Sequence, residues 1–558
     1  MKRELSRREL LALGAGAALG SSLRVAEAST EPPRTVVEAN DNAVAQGMAA
    51  QTMARSHASF GGIPDFRELY LAGTAGRFVQ QATAAHFCET SSYFGDARVL
   101  ERIGHALSFL EREQSADGNI DLLTTNFNSP PDTGFVVHKV ASAANIARIK
   151  GRNDILGLFR PFLMGAGNGM AKGGVHTPNH RWVVSAALAQ INELFPQERF
   201  VNRIDAWLAE GIDIDEEGQF TERSTGGYNA VCDSAFVVMA DKLKRPELLE
   251  PVRKNLNAMA YLLHPDGEIV TEFSNRQDRN TRATMDRYWF PLRYVAVLEE
   301  IGLYTSMLKP IEPHAMELAL LMEYPVLNRS LPRSSPVPGH YELDLPRSGI
   351  TRIRRGNRSI TAIHQGNSRW LSVRNGEAVI NGIRFASAFF GKGQFRPSRF
   401  VREGQELCFY QDLEGPYYQP FSNAEQLPVK QNEYGAKRRL RDVSEVCTLH
   451  YEGRLRETKR GLALTIRATG TEGVPLAIEI NVRAGSVLNG TESLDNERHL
   501  LRDGTAEIRA GENTILLGPG FAEHRYVQIR GAEEKLSGPS IYLTAYTPLE
   551  TTLDIQMP

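Results

Sequence analysis

Two stretches decide the fold: residues 167–182 read G-N-G-M-A-K-G-G-V-H-T-P-N-H-R-W, and residues 224–236 read S-T-G-G-Y-N-A-V-C-D-S-A-F. Each is rich in glycine, and each leads into a segment of small and apolar residues. A polar group that begins a buried helix projects from the end of that helix, where it can line a cavity. The pairs Asn179-His180 and Tyr228-Asn229 occupy these positions, so we interpret the two turns as the centre of a site.

The chain from residue 36 to about 322 has the apolar spacing of helices. Alternate segments differ in character, since some are rich in Ala, Val and Ser whereas their neighbours carry charges along one face. That difference separates helices buried on all sides from helices with one face in water. The predicted helices are 36–60, 74–92, 97–115, 132–150, 155–170, 180–195, 198–211, 228–243, 248–264, 287–302 and 304–322.

A repeated turn supports a ring of helical hairpins. Similar segments at 117–121, 217–222 and 266–272 each follow a helix of the charged type, and their glycines are 100 and 49 residues apart. We assign the missing copy, near residue 168, to the glycine-rich stretch before Asn179. A period near 50 with two helices per repeat predicts about six hairpins, and therefore a closed or nearly closed α/α toroid.

The pattern changes after a proline-rich linker predicted over 324–348. From residue 349 to 558, short segments alternate apolar and polar residues between Gly, Asn, Asp and Pro turns. About a dozen such strands predict an antiparallel β-sandwich. The predicted fold class is therefore a multidomain α and β protein, with the toroid at 36–323 followed by the sandwich.

The first 28 residues have the pattern of an export signal. Four basic residues precede a short apolar run, and residues 26–28 form an A-x-A cleavage pattern. The adjacent Arg7 and Arg8 favour a twin-arginine signal over an ordinary secretory one. We therefore expect a periplasmic or secreted protein that is soluble after signal removal, because no later run approaches the ~20 apolar residues of a membrane span.

Composition and motifs argue against several classes of partner and cofactor, although a local basic cleft remains possible. The 558 residues carry a formal net charge of -2, so no overall field attracts nucleic acid or anionic membrane. No phosphate-binding loop or serine-hydrolase elbow is present, and we predict no cofactor.

The four cysteines allow two interpretations. Cys408 and Cys447 could pair within the β domain, or all four cysteines, with Cys88 and Cys232, could be buried thiols.

Two motifs carry a family resemblance: P-N-H-R-W at 178–182 and G-G-Y-N at 226–229. Together with the toroid and sandwich, they resemble the heparinase II/III-like polysaccharide lyases over nearly all of the mature chain. The resemblance implies that the sandwich completes the cleft and contributes a histidine, for which His364 is the best candidate. The histidine and aspartate set that binds structural zinc in some members is not evident, so we predict no required metal.

The residue types suit β-elimination on a uronate sugar. Removing the weakly acidic C5 hydrogen places charge on the adjacent carboxylate, which must be neutralised by donors such as Asn179 and a protonated His180 or His364. We favour His180 as the base and Tyr228 as the acid that protonates the leaving oxygen. Tyr228 could instead perform both transfers, although a free phenol acting as a base near pH 7 costs roughly 4 kcal/mol.

Further polar and aromatic residues near inner-helix starts are suited to bind an acidic glycan. Several lie in a polar cluster at 125–133 or in an arginine-rich stretch at 275–289. The predicted substrate-binding residues are Asn126, His138, Arg181, Asn229, Arg287, Tyr288 and Trp289.

Two other functions remain open. A toroid can also host a glycoside hydrolase with paired carboxylates, for which Asp132, Asp233 and Asp286 are candidates. A non-catalytic protein that binds acidic oligosaccharides is the second alternative. The sequence predicts neither the identity of the polymer, nor endo or exo action, nor the oligomeric state.

Overall fold

The computed structural model describes residues 31–312, 314–315, 317–422, 430 and 432–558. The predicted signal at 1–28 lies outside this range. The chain divides into two compact units, one ending at Pro338 and the other beginning at Gly339. The first is helical and the second is built of strands. We describe each unit by itself.

The predicted helices form close to their expected positions. Each of the eleven segments contains helix, and the last of them is divided into two short helices. The described part of this unit contains α1 (Arg34–Ala50), α2 (Ala72–Phe87), α3 (Ala97–Arg112), α4 (Pro130–Ile149), α5 (Asn153–Lys172), α6 (Pro178–Leu194), α7 (Glu198–Ala209), α8 (Tyr228–Leu243), α9 (Glu250–Met259), α10 (Trp289–Glu299), α11 (Gly302–Leu308) and α12 (Glu317–Glu323).

Even-numbered helices form the inside of a ring. Helices α2, α4, α6, α8 and α10 pack in sequence, and α12 closes the ring by packing against α2 and α4. The inner helices α4, α6 and α8 are buried along most of their length, whereas α3, α7 and α9 bury one face. The structure therefore confirms the predicted toroid of helical hairpins.

A tight turn recurs where an outer helix leads toward the next inner helix. Gly118, Gly218 and Gly267 have φ values of 93°, 75° and 84°, a conformation that favours glycine. The fourth copy is not near residue 168, as the sequence predicts, but at Asp65–Leu69, where Glu68 takes the left-handed conformation. Residues near 168 lie instead inside α5, which continues to Lys172.

The glycines of α5 allow close packing against the repeat turn. The turn glycine Gly118 lies so near the backbone of Gly165 that an added Cβ would fall 2.0 Å from the Gly165 carbonyl oxygen. A Cβ on Gly169 would meet the Asn119 side chain at 2.5 Å, and one on Gly167 would meet the Phe200 ring at 2.7 Å. The glycine-rich segment is thus a packing surface for two neighbouring elements.

The second unit contains two large sheets. A small hairpin of β1 (Ile120–Leu122) and β2 (Asn126–Ser129) belongs to the helical unit. The strands of the second unit are β3 (His340–Leu345), β4 (Ile350–Arg355), β5 (Arg358–Ile363), β6 (Leu371–Asn375), β7 (Ala378–Ser387), β8 (Arg399–Glu403), β9 (Glu406–Tyr418), β10 (Val443–Thr458), β11 (Gly461–Gly470), β12 (Pro475–Val482), β13 (Val487–Asn489), β14 (Glu492–Ser493), β15 (Arg498–Leu500), β16 (Ala506–Ala510), β17 (Asn513–Gly518), β18 (Ser540–Tyr546) and β19 (Leu549–Gln556).

These strands form a sandwich around one apolar core. The nine-stranded sheet has the order β14-β15-β18-β12-β7-β6-β5-β4-β3, and the eight-stranded sheet has the order β13-β16-β17-β19-β11-β10-β9-β8. The pairs are antiparallel apart from β15 with β18. Phe385 of the first sheet and Tyr451 of the second meet with ring centroids 5.2 Å apart, within a core that both sheets share. The predicted antiparallel sandwich is confirmed.

Some sequence expectations for this unit are wrong in detail. The predicted linker at 324–348 is shorter, because His340–Leu345 forms β3. More strands are present than the dozen expected, since strands as short as β14 carry no alternating signal. The four cysteines are free, and Cys408 and Cys447 lie seven ladder positions apart on neighbouring strands, roughly 23 Å at ~3.3 Å per residue. That separation prevents the pairing considered from the sequence.

The described residues show neither a membrane-spanning helix nor a cluster of metal-binding side chains. None of the described helices is both long and apolar enough to cross a membrane. No group of three or more His, Cys, Asp or Glu side chains in the described part of the chain is placed to hold a metal ion.

We expect Gly118→Ala to lower the stability of the helical unit by roughly 2–4 kcal/mol, because alanine must accept a positive φ and a backbone clash. Thermal and urea unfolding would measure the loss. Gly157→Ala is the matched control, since that glycine lies in α5 with no atom within 4 Å of an added Cβ. The control substitution should raise the free energy of unfolding by about 0.5–1 kcal/mol. Equal effects of the two substitutions would contradict this account of the turn.

Candidate functional site

A serine and two glycines build the start of α8. The N-cap is Gly227, and the backbone N–H of Tyr228 donates to Ser224 Oγ at 2.9 Å, so a hydroxyl from the preceding turn satisfies the first N–H of the helix. A Cβ on Gly226 would lie 2.8 Å from Ala283 Cβ, and one on Gly227 would lie 2.9 Å from Ser224 Oγ. The S-T-G-G-Y sequence is therefore needed for the chain to turn tightly and present Tyr228 at the helix end.

Hydrogen bonds to Asp278 hold a second loop against this turn. Its carboxylate accepts hydrogen bonds from Ser224 Oγ at 2.9 Å, from the Gly226 N–H at 2.9 Å and from Ser274 Oγ at 2.6 Å. These bonds fix the loop that carries Arg276, whose guanidinium carbon lies 5.2 Å from the centroid of the Tyr228 ring. Arg276 forms no ion pair with any residue that the structure describes. A cation that has no ion-pair partner among the described residues therefore lies against the Tyr228 ring.

The start of α6 holds a buried polar pair. Pro178 occupies the first helical position, where it has no N–H to leave unpaired, and Asn179 and His180 follow. The Asn179 amide donates to Glu222 and, at 3.2 Å, to Thr177 Oγ1. Burial raises the pKa of the Glu222 carboxyl, against the opposing effects of Asn179 and Arg276. Asn179 thus supports Glu222, and its donors are not directed to a ligand.

Charged and titratable groups from neighbouring segments affect the pKa of His180. Burial lowers its pKa to about 4; His176 and Arg276 also lower the value, whereas Asp132 raises it. Its ring packs edge-on against His176 with centroids 4.7 Å apart. The side chain is 8% exposed, and Nδ1 is buried without a partner among the described residues. His180 is therefore a neutral imidazole with free hydrogen-bonding capacity near pH 7.

Tyr228 lines a cleft of about 800 Å³. The cleft passes between the turn before α8 and the arginine-rich loop, and ends at Asp286 and Arg287 before α10. The lining residues are Ser224, Gly226, Gly227, Tyr228, Glu268, Gln277, Asp278, Thr281, Arg282, Ala283, Thr284, Asp286 and Arg287. His180 is not among them. Arg276 links the two candidates, since it contacts the Tyr228 ring and its charge acts on His180.

Three predicted substrate-binding residues have structural contacts instead. Tyr288 is fully buried, and its hydroxyl donates to the Thr225 carbonyl at 2.6 Å. Asn229 is fully buried and donates to Gln219 Oε1 at 3.0 Å. Arg181 forms ion pairs with Asp213 at 2.9 Å and Glu210 at 3.1 Å, and its guanidinium lies over the Trp182 ring. The sequence places these side chains at the right helix ends but does not predict which way each one turns.

Of the other predicted contacts, Arg287, Trp289 and His138 line cavities, whereas Asn126 lines neither of those two spaces. Arg287 is exposed and lines the cleft, and Trp289 lines a second cavity along the ring axis. His138 lines the same axial cavity, with Nδ1 2.7 Å from Gln190 Oε1 and Nε2 3.2 Å from the Val183 carbonyl oxygen. Asn126 lies on β2 and donates to Asp132 Oδ2 at 2.8 Å.

His364 has the contacts of a packed histidine within its own unit. Its ring stacks on Phe400 with centroids 3.8 Å apart, and Nε2 lies 2.9 Å from Thr351 Oγ1. The side chain is 7% exposed, and burial lowers its pKa to about 4. A protonated His364 that neutralises a carboxylate is therefore disfavoured near pH 7.

One carboxylate proposed for hydrolysis lies in the core. Asp233 is fully buried, and burial raises its pKa well above the usual range. Asp132 accepts hydrogen bonds from Asn126 and, at 2.5 Å, from Ser129 Oγ. Asp286 is exposed and lines the cleft. Asp233 therefore cannot act as one member of a carboxylate pair.

Sequence reasoning missed the contacts that Glu222, Asp278 and Arg276 make around these two turns. Glu222 ends the second copy of the repeat turn, and Arg276 and Asp278 belong to the arginine-rich stretch. An aspartate between two arginines reads as a solvated loop, because the serines that it binds lie as far as 54 residues away.

Comparison with solved structures identifies the fold. The chondroitin AC lyase of Streptomyces coelicolor A3, solved with chondroitin sulphate, superposes with a TM-score of 0.57 at 14% identity, covering 99% of this chain and 82% of the other. A Paenibacillus xanthan lyase gives 0.53 at 9% identity, covering 94% of this chain, which spans 56% of that enzyme. A further chondroitinase AC gives 0.50 at 9% identity, with 95% and 81% covered.

The chain has the fold of the polysaccharide lyases. The predicted resemblance to lyases with a helical toroid followed by a β domain is confirmed at this level. At identities of 9–14% the likeness extends to the fold alone. No model of a protein family matches the sequence, and no curated protein sequence matches it.

We expect the stability of this lyase fold to fall as the pH drops from 6.5 toward about 4, in part because neutral His180 must be protonated. Its pKa is lowered from 6.5 on folding, so its contribution is complete above pH 6.5 and is lost below. Urea unfolding of the wild type and His180→Gln across this range would isolate the effect. The difference in unfolding free energy should be constant above pH 6.5 and shift against the wild type below. A difference that does not change with pH would exclude a buried neutral imidazole.

Proposed function

We propose that the protein is a polysaccharide lyase that cleaves a uronate-containing glycan by β-elimination. The reaction breaks the C5–H and C4–O4 bonds, forms a C4–C5 double bond and returns a proton to O4, so it consumes no water. The observation that carries the proposal is the guanidinium of Arg276, which lies over the Tyr228 ring beside a cleft at the inner-helix ends and forms no ion pair with a described residue. The fold shared with chondroitin and xanthan lyases supports it.

Arg276 is the proposed partner of the uronate carboxylate. The Asn179 donors are directed to Glu222 and Thr177, and both His180 and His364 have a pKa of about 4, so these three are poorly suited to neutralise an anion near pH 7. A guanidinium stays charged throughout this range and presents donors in a fork that fits a carboxylate. This assignment replaces the role that the sequence gives to Asn179.

Tyr228 and His180 are the proposed proton-transfer residues. Tyr228 lines the cleft and carries a hydroxyl that can protonate the leaving O4. His180 is unprotonated near pH 7, so a ring nitrogen can accept the C5 proton. One observation favours the alternative in which Tyr228 performs both transfers: Tyr228 lines the cleft, whereas His180 does not.

The cleft also presents groups that suit an acidic polymer. Arg282 is paired with Glu268 at 2.7 Å, and Arg287 is exposed near the end of the cleft. Outside the residues that line the cleft, Phe127 on the β2 strand next to Asn126 is 68% exposed and offers an aromatic face for a sugar ring. We further propose export through the twin-arginine route, because such polymers are encountered outside the cytoplasm.

Tyr228→Phe should lower the rate of unsaturated product formation by roughly 10³-fold, because it removes the proton donor for O4. The purified protein would be tested on chondroitin, heparan, alginate and rhamnose-glucuronate polymers by the ultraviolet absorbance of the 4,5-double bond. Tyr93→Phe, on a loop after α2, should leave the rate unchanged. His180→Gln should lose roughly 10² or more if His180 is the base, and less than about tenfold if Tyr228 performs both transfers. New reducing ends without the absorbance would identify a hydrolase instead.

Arg276→Met should lower kcat/KM by roughly 10²–10³-fold, because the charge that develops on the carboxylate loses its partner. Arg276→Lys should restore part of the loss, since it returns the charge without the fork. Arg199→Met, an exposed arginine on outer helix α7, is the control and should match the wild type. Wild-type kinetics of Arg276→Met on an active substrate would rule out the proposed role.

A further inference from the structure

A closed-ended cavity runs along the axis of the helical ring. Its volume is about 380 Å³, within the range of about 300–1,000 Å³ that is usual for small-molecule sites. Inner helices α2, α4, α6, α8, α10 and α12 all contribute to its wall. Asp286 and Arg287 line both this cavity and the Tyr228 cleft, so the two spaces meet at the inner-helix starts.

Buried ions close the other end. Lys242 Nζ lies 3.0 Å from a Glu323 oxygen and 3.1 Å from a Glu193 oxygen, near the C-terminal ends of α8, α12 and α6. The Lys242 and Glu323 side chains are 2% and 1% exposed. Asn145 donates to Glu323 at 3.2 Å. A polymer passing through the ring would have to break this cluster, so the cavity accepts a chain end but not a continuous chain.

The wall offers polar groups that nothing in the described chain satisfies. Gln80 Oε1, Ser142 Oγ and the Tyr324 hydroxyl are buried at the cavity without hydrogen-bond partners among the described residues. Buried polar groups are rarely left in this state. Their mixture of acceptor and hydroxyl groups beside aromatic Phe135 and Trp289 matches the hydroxyls and ring faces of a sugar.

One cation in the wall lacks an acidic partner. Lys139 lines the cavity and donates to the Phe135 carbonyl at 3.0 Å, but it pairs with no carboxylate in the described part of the chain. Burial, and then the charge of Arg77, lower its pKa to about 8, so the ammonium still predominates near pH 7. An anionic substituent on a sugar would supply the missing charge.

We propose that the axial cavity binds one end of the acidic glycan, so that the enzyme releases short oligosaccharides from that end. This inference rests on the proposed lyase function for its catalytic consequence, but the binding itself can be tested alone. Asp286 and Arg287 mark where the chain leaves the cavity and enters the Tyr228 cleft.

The mode of cleavage gives the first test. A time course on a polymer that the enzyme degrades would follow the ultraviolet absorbance together with the size distribution of the remaining chains. Short unsaturated products should form from the start while the mean mass of the polymer falls slowly. An early collapse of that mass would overturn end binding and leave the lyase function intact. Failure to form unsaturated product from any polymer would instead remove the lyase function, and the second test would then decide the cavity.

The second test measures binding without turnover. Every protein in this test also carries Tyr228→Phe, so that the sugars are not cleaved during the titration. Saturated tetrasaccharides of the four uronate polymers would be titrated by calorimetry into the otherwise wild-type chain and four variants. Lys139→Met and Ser234→Phe, which remove the charge and fill the cavity, should weaken binding at least tenfold. Lys150→Met, exposed directly after the same helix, and Ser234→Ala are the matched controls and should bind like the wild type.

The melting temperature of each variant would show whether it is folded. If Ser234→Phe is unfolded, the affinity of Lys139→Met compared with that of Lys150→Met decides whether the cavity binds the sugar. Equal affinity of Lys139→Met and the wild type, or no binding of any tetrasaccharide, would show that the cavity holds only water.

Discussion

A single carboxylate determines the geometry of the candidate site. Asp278 accepts hydrogen bonds from the turn that begins α8 and from the loop that carries Arg276, so it joins two segments about 50 residues apart in the chain. An anion that is satisfied by three donors is costly to displace, because each donor would lose a charge-assisted bond. The position of the guanidinium over the Tyr228 ring follows from this junction. Neither Arg276 nor Tyr228 could be brought to this position by its own loop or helix alone.

The ring gives its two ends different electrostatic characters. The inner helices begin at the face that holds Tyr228, His180 and Arg287, and their N-terminal partial charges favour an anion there. The opposite face ends in the buried pairs of Lys242 with Glu193 and Glu323. Ion pairs of this kind stabilise a structure little relative to apolar packing, yet breaking them is costly. The same arrangement of helices therefore favours anions at one end of the ring and closes the other end with buried ion pairs.

The sequence predicts the fold well because its evidence is periodic. Helical spacing, the recurring glycine turn and strand alternation each depend on many residues, so a toroid and a sandwich follow without coordinates. The site is predicted less completely. Asn179, His180 and Tyr228 are placed at the right helix ends, but the burial of Tyr288 and Asn229 depends on side-chain direction. The position of Arg276 depends on the hydrogen bonds that Asp278 accepts, and some of the donors are remote from Asp278 in the sequence. The glycines near residue 168 suggest a copy of the repeat turn, but they are needed for close helix packing. The fourth copy of the turn occurs instead at Glu68.

The glycine-rich helix α5 has a consequence for how this region opens. Glycine lowers helix stability by roughly 0.5–1 kcal/mol per residue relative to alanine, so a helix with several glycines depends on its neighbours to remain folded. Those neighbours are the 115–119 turn and Phe200 of α7. Amide hydrogens of α5 should therefore exchange together with those of the elements around it, and not as a separate unit. Since only five residues separate α5 from α6, such an opening would release Asn179 and His180 as well, which couples the exchange of the candidate site to a helix whose own contacts are structural.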